Sequence, residues 1–152
     1  MVKTNARKIL VLSGPNLNLL GQRQPEIYGA DSLEDHMRRV DDAAKQFGLG
    51  TKKVSAQSAA ELVVAIHAAR GSCEAIIINP GALTHFAWSV SDALATFSGP
   101  IIEVHLSNPA TRETWRHESV IASVASGTIA GFGADSYVFA VHAVAALLAK
   151  KK

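Results

Sequence analysis

Apolar residues recur along this chain in two alternating rhythms. Residues 8–13 are a continuous run around Ile9, Leu10, Val11 and Leu12, as expected of a parallel strand covered on both faces. Over residues 32–47 the spacing changes to steps of three and four, through Leu33, Met37, Val40, Ala44 and Phe47, which predicts an amphipathic helix. Asp31 or Ser32 can cap its start and Gly48 can end it. Residues 51–56 read as a weak outer strand. Ser58-Ala59-Ala60-Glu61 is a capping-box signature opening a helix through Ala69, stopped by Gly71. Residues 74–79 (EAIIIN) form the clearest central strand, followed by a helix from about Thr84 to Phe97. Strand 101–106 (IIEVHL) comes next, then a short helical segment carrying Arg112 and Arg116. Strand 127–132 and a closing helix over about 135–149 complete the pattern.

Five strands alternating with helices predict right-handed crossovers and a parallel sheet, an α/β fold of three layers. A short chain of this kind predicts the flavodoxin-like strand order 2-1-3-4-5, with its site outside the carboxyl ends of the strands. No internal repeat or low-complexity linker interrupts the alternation, so residues 1–152 read as a single catalytic domain. The polar residues fall on the expected rim. Asn16 follows the first strand, Asn79 ends the third, and Glu103 to Ser107 close the fourth.

The loop SGPNLNLLGQRQPEIYG, residues 13–29, concentrates hydrogen-bonding side chains after a buried strand, where α/β proteins keep their chemistry. Within it, Arg23 beside Tyr28 would favour the phenolate and make a weak acid a usable base. On the fourth strand the two-residue period puts Glu103 and His105 on one side. Such a pair is costly to bury unless it is hydrogen-bonded. It suits a general acid oriented by a carboxylate, and equally a structural bond at the sheet rim.

Asn79 to His85 leaves a strand and opens a helix, an arrangement that can hold an anion. Equally, Asn79 can be a turn former, Thr84 an N-cap and His85 a surface residue. Arg112 and Arg116, four apart on one turn, can clamp a carboxylate or form an exposed basic face. Asp92, seven residues after His85, can pair with an arginine of this chain or of a neighbour. His36, on the polar side of the first helix, His67 and His142 read as structural.

Composition narrows the classes. The chain is 48% hydrophobic and 18% charged, a balance that fits a globular protein with a large apolar core. A net charge of +2 without clustered basic residues gives no support to nucleic-acid binding, and Lys150 to Lys152 reads as a solvated tail. The lone Cys73 excludes an internal disulfide and fits a reducing compartment. The first apolar run is too short for a signal-peptide core, and no stretch approaches the ~20 apolar residues of a membrane span. These features predict a cytoplasmic protein without nucleic-acid or membrane partners. No HExxH, CxxC or histidine pair at ligand spacing suggests a metal. GPNLNLLG lacks the Lys-Ser/Thr of a phosphate-binding loop, and Gly131-Phe132-Gly133 lacks a dinucleotide fingerprint.

Three blocks, GPNLNLLGQRQPEIYG, INPGALTHFAWSVSDAL and IEVHLSNPATRETWRHES, with GTIAGFGADSY behind them, give the chain a resemblance to type II 3-dehydroquinate dehydratase from Ile9 to Leu148. The resemblance implies a flavodoxin-like fold, a dodecamer of four trimers, and reversible dehydration of 3-dehydroquinate to 3-dehydroshikimate without metal, Schiff base or other cofactor. By resemblance, Tyr28 is the base at C2, Arg23 lowers its pKa and sits on a lid, and Asn16 positions a water against the enolate. His105, oriented by Glu103, protonates the leaving C1 hydroxyl. Asn79, His85 and Arg116 bind substrate hydroxyls, while the backbone N–H groups of Leu106 and Ser107 take the carboxylate. Arg112 sits at the edge, and Asp92 reaches a neighbouring subunit's site. Ser91 stands where an arginine is frequent in that pattern. The alternative from another class is a catalytically silent flavodoxin-like module that binds a ligand in the same pocket.

Overall fold

A computed structural model describes residues 7–151; the basic start of the chain and Lys152 of the C-terminal tail lie outside them. Five strands form one parallel sheet: β1 (Lys8–Ser13), β2 (Gly50–Ser55), β3 (Ala75–Asn79), β4 (Ile101–His105) and β5 (Gly127–Ala130). Their order is β2-β1-β3-β4-β5, the flavodoxin-like arrangement the alternation predicts. The helices are α1 (Pro25–Tyr28), α2 (Leu33–Gln46), α3 (Ala59–Ala69), α4 (Trp88–Ala95) and α5 (Asp135–Ala149).

The period of two along each central strand divides the core between the faces of the sheet. Ile9 and Val11 of β1 join Met37 and Val40 of α2 and Val141 and Val144 of α5. Leu10 and Leu12 point the other way, into Leu62 and Ile66 of α3 and Val90 and Leu94 of α4. All five residues of β3 are buried, whereas no residue of the outer strand β2 is. That contrast is why β3 reads as apolar up to Asn79 and β2 carries Lys52 and Lys53.

Helix starts follow their capping chemistry. Ser32 Oγ accepts the Asp35 N–H at 3.1 Å and Asp35 returns a bond to the Ser32 N–H at 3.0 Å, a reciprocal capping box. At α3, Ser58 Oγ accepts from the Glu61 N–H, but the Glu61 carboxylate turns to the Gln57 N–H instead.

The structure corrects four sequence expectations. The helix expected from Thr84 begins only at Trp88, because residues Gly81–His85 wind as a 3-10 turn. Thr84 is therefore no N-cap; its hydroxyl bonds Glu103 across the sheet. Arg112 and Arg116 do not share a helical turn: two short 3-10 turns, Pro109–Thr111 and Thr114–Arg116, flank an extended Arg112. His36 is not on a solvated face but 1% exposed, packed against the Tyr137 ring with centroids 5.5 Å apart. The last strand ends at Ala130, two residues early, where Gly131 takes φ 94°.

Register brings the future site residues level. Ser13 is opposite Asn79 in the β1–β3 pairing, and Ile78 is opposite Glu103 in the β3–β4 pairing. Beyond the strand ends the chain from β1 presses onto the chain from β3. The Gly14 N–H donates to the Asn79 carbonyl at 2.8 Å. A Cβ at Gly14 would lie 2.4 Å from the Pro80 carbonyl oxygen, so only glycine fits this crossing.

Candidate active site

Four segments close around one cavity of about 210 Å³ at the carboxyl rim. That volume lies below the ~300–1,000 Å³ of drug-sized pockets and suits a small ligand. The loop after β1 contributes Asn16, Arg23 and Tyr28; the turn after β3 contributes Asn79 and His85. The end of β4 and the turns beyond it contribute His105, Leu106, Ser107, Arg112 and Arg116. Ten of the sequence-predicted residues thus meet on one surface.

The remaining two stand apart for different reasons. Glu103 lies behind His105, one strand period deeper. Asp92 is exposed on α4, away from this cavity, and makes no ion pair among the described residues. Ser91 beside it turns inward and is buried.

Tyr28 sits on the one-turn helix α1, which starts from a strained position. Gln24 holds φ 37° and Asn16 holds φ 70°, a left-handed region that non-glycine residues occupy at a cost and that clusters at functional loops. Arg23 Nη2 donates to Tyr28 Oη at 3.4 Å. The guanidinium carbons of Arg23 and Arg112 lie 4.8 and 5.2 Å from the centre of the Tyr28 ring. Two guanidinium groups thus stack against one phenol ring. Arg112 Nη1 also donates to Ser107 Oγ at 3.2 Å.

Glu103 is 1% exposed, and its environment explains how a carboxylate survives there. His105 Nε2 donates to Oε2 at 3.1 Å. Thr84 donates to Oε1 at 3.0 Å, and Ser119 donates to the same oxygen. Burial opposes the charge, but the bonds from His105 and Ser119, the His105 charge and the Thr84 bond outweigh it, holding the carboxyl below its usual range. An ionised Glu103 fixes Nε2 as the protonated nitrogen of His105 in its neutral form and so orients the ring.

The other cavity groups are held as firmly. Asn79 Nδ2 donates to Tyr137 Oη at 3.2 Å, and Asn79 Oδ1 accepts the Gly81 N–H at 3.3 Å. Asn79 is thus a turn former and a cavity residue at once. His85 Nδ1 donates to the Glu118 carbonyl at 2.6 Å and the ring meets Trp115 edge-on. Arg116 is paired with Glu113 at 2.5 Å and stacks on Trp115 at 4.0 Å. His117 Nε2 reaches the Arg112 carbonyl at 3.1 Å.

Sequence reasoning missed Thr84, Ser119, Tyr137 and His117 as supports of the site. Thr84 carried a sufficient explanation as a cap. Ser119 and His117 lie in a stretch without periodicity, and Tyr137 reads as an ordinary apolar position of α5. Gln57 was also missed: it accepts the Asn16 N–H at 3.2 Å and donates to Asn18 Oδ1 at 3.1 Å, tying the loop to the start of α3. Among the described residues no three His, Cys, Asp or Glu side chains cluster as metal ligands, and no helix is long and apolar enough to cross a membrane.

A sequence model of the dehydroquinase class II family matches residues 7–145. A 3-dehydroquinate dehydratase of Herpetosiphon aurantiacus is 47% identical over 134 residues, covering 88% of this chain and 93% of the relative. The 3-dehydroquinate dehydratase of Pelotomaculum thermopropionicum is 45% identical over 140 residues, 92% of this chain and 97% of the relative. The crystal structure of the type II dehydroquinase from Propionibacterium acnes superposes with a TM-score of 0.88 at 38% identity, over 92% of this chain and 97% of that one.

Proposed function

This chain belongs to the dehydroquinase class II family, and from that premise we propose that it catalyses the reversible dehydration of 3-dehydroquinate to 3-dehydroshikimate by an anti elimination. Tyr28, as phenolate, takes the proton from C2 beside the ketone. The electron pair moves into the enolate, whose oxygen is stabilised by a water that Asn16 positions. His105 then protonates the C1 hydroxyl as its C–O bond breaks, and water leaves as the ring double bond forms. A proton beside a ketone is only moderately acidic, so the step needs both a base and an enolate stabiliser.

One observation carries this reading: Tyr28 and His105, from distant parts of the chain, line the same small cavity. Each has its own support, Arg23 and Arg112 for the phenol and Glu103 for the imidazole. A module that only bound a ligand would have no use for an activated base opposite an oriented acid. Asn79, His85 and Arg116 hold the hydroxyls of the ring, and the backbone at Leu106 and Ser107 takes its carboxylate. Arg23 rides on a lid that excludes water and strengthens these interactions.

The decisive assay mixes the protein with 3-dehydroquinate and follows the ultraviolet absorption of the conjugated enone. Growth of that band at catalytic protein concentration is expected. Binding of the compound without any enone would establish the silent module instead.

The assembly we infer is a dodecamer of four trimers in the cytoplasm. Phe86 and Trp88 are 61% and 65% exposed, a large apolar surface for a protein that works alone. Trp88 and Asp92 lie one helical turn apart on the same exposed face of α4, so the contact that covers the tryptophan carries Asp92 toward a neighbour's cavity. Light scattering is expected to give a mass near twelve subunits; a monomer at micromolar concentration would remove Asp92 from the site.

A further inference from the structure

We propose that Thr84 and Ser119 are positioning residues of the acid half of the site, a hydroxyl clamp that holds Glu103 by one oxygen and leaves the other for His105. The inference rests on the dehydratase reading and extends it to two residues that touch no substrate.

The geometry decides which way the hydrogens point. Ser119 Oγ accepts the N–H groups of Ile121 and Ala122 at 3.1 and 3.0 Å. With its oxygen turned to those two donors, the Ser119 hydroxyl hydrogen is directed to Glu103 Oε1. Thr84 Oγ1 reaches the same Oε1 at 3.0 Å and stands 2.9 Å from Ser119 Oγ. Both donors therefore converge on Oε1, and Oε2 is left to face His105 Nε2 at 3.1 Å.

The clamp is built from three separate segments: the 3-10 turn after β3, the strand β4 and the loop before β5. The backbone locks it, because the Val120 N–H donates to the Thr84 carbonyl at 2.8 Å. Hydroxyl donors stabilise the carboxylate more than the carboxylic acid. They thus oppose any drift of the imidazole proton onto Glu103, and they prevent the carboxyl from rotating away from the ring. The acid half keeps one orientation through the reaction, as a preorganised site requires.

Four proteins test this: wild type, Thr84→Val, Thr84→Ser and Ser119→Ala, with 3-dehydroquinate from about pH 4 to 9. Thr84→Val keeps the shape and deletes the donor. It is expected to lower kcat about tenfold with KM within about twofold, and to move the acidic limb of kcat upward by about one pH unit. Thr84→Ser is expected to restore both. Ser119→Ala is expected to move the limb in the same direction. Carbon-13 NMR titration of the Glu103 carboxyl follows the same clamp without turnover, and it should titrate at higher pH in Thr84→Val than in wild type. Two results would overturn the proposal: an acidic limb and a Glu103 titration that stay put in both donor-deleted variants, or a Thr84→Ser protein no better than Thr84→Val. A wild type that makes no enone would instead overturn the dehydratase reading, with the NMR comparison still deciding the clamp.

Discussion

The Asn79 side-chain amide donates to the phenol oxygen of Tyr137 at 3.2 Å, from the end of β3 to the first turn of α5. Tyr137 is fully buried, and burial, though opposed by the Asn79 and Ser13 bonds, pushes its hydroxyl up to about 12. It is therefore a neutral phenol under any working condition, and a fixed acceptor for the amide. Tyr137→Phe removes that acceptor and only one oxygen atom of buried volume. Leaving a buried amide donor unsatisfied costs about 1–3 kcal/mol, so the urea midpoint should fall. KM for 3-dehydroquinate should rise more than kcat falls, because Asn79 is assigned to binding and not to proton transfer. A variant with unchanged midpoint and KM would show that Gly81 alone fixes Asn79.

Tyr28→Phe deletes only the oxygen assigned to proton removal. General-base catalysis contributes roughly 10²–10⁴ in rate, and the enone assay should lose at least that much. Equilibrium binding of the substrate should change little, since the other binding groups of the cavity remain. Near-normal turnover in this variant would remove Tyr28 as the base.

Burial sets a pH limit on stability through His36. Both of its ring nitrogens are buried without a partner, and desolvation, outweighing the Asp31 charge, holds it below its ordinary value of 6.5. The unfolded chain accepts a proton near pH 6.5 that the native state refuses. The stability linked to His36 is thus intact above pH 6.5 and lost as pH falls from there toward the native pKa. His36→Leu removes this proton uptake, so melting temperature should decline less between about pH 7 and pH 5 than in wild type. Parallel decline in calorimetry of the two proteins would contradict the buried, neutral imidazole.

Glu103 acts in a lower window. Its folded carboxyl lies below the ordinary 4.5, so its contribution is fully present above that value and disappears as pH falls through the native pKa. Glu103→Gln should destabilise the fold at pH 7 by about 2 kcal/mol, because three donors lose an anion. The cost should shrink in acid, where the native carboxyl also becomes neutral. Denaturant titrations at the two pH values give the comparison; an equal cost at both would mean that the charge of Glu103 carries no stability. Turnover should fall as well, since His105 loses the partner that orients it.

Local periodicity was enough to find the strands and most helices, and the order of the sheet followed from the usual arrangement of a short alternating chain. The apolar run of β1 reports a layer on each face of the sheet and the three-and-four spacing of α2 reports one buried side, and that information is local. Two site pairs were legible for the same reason. Arg23 and Tyr28 share one loop, and Glu103 and His105 share one strand face, so short-range geometry decides both. Where a strong local signal existed for another use, it misled: Thr84 has the chemistry of a cap, yet a buried carboxylate from β4 captures its hydroxyl. His36 likewise has a polar side chain on a polar stretch, but packing against Tyr137 buries it.

The sequence by itself determined which residues could carry charge, accept protons or cover a core, because those are properties of the side chains and of their spacing. Only the tertiary structure decided that Thr84, Glu103 and Ser119 meet, that Asn79 leans on Tyr137, and that Asp92 stands outside the cavity its own chain forms. Those relations join segments remote along the chain. They arise when β1, β3 and β4 pair in register and carry their loops to one rim, a long-range event that leaves no periodic trace in the residues it joins.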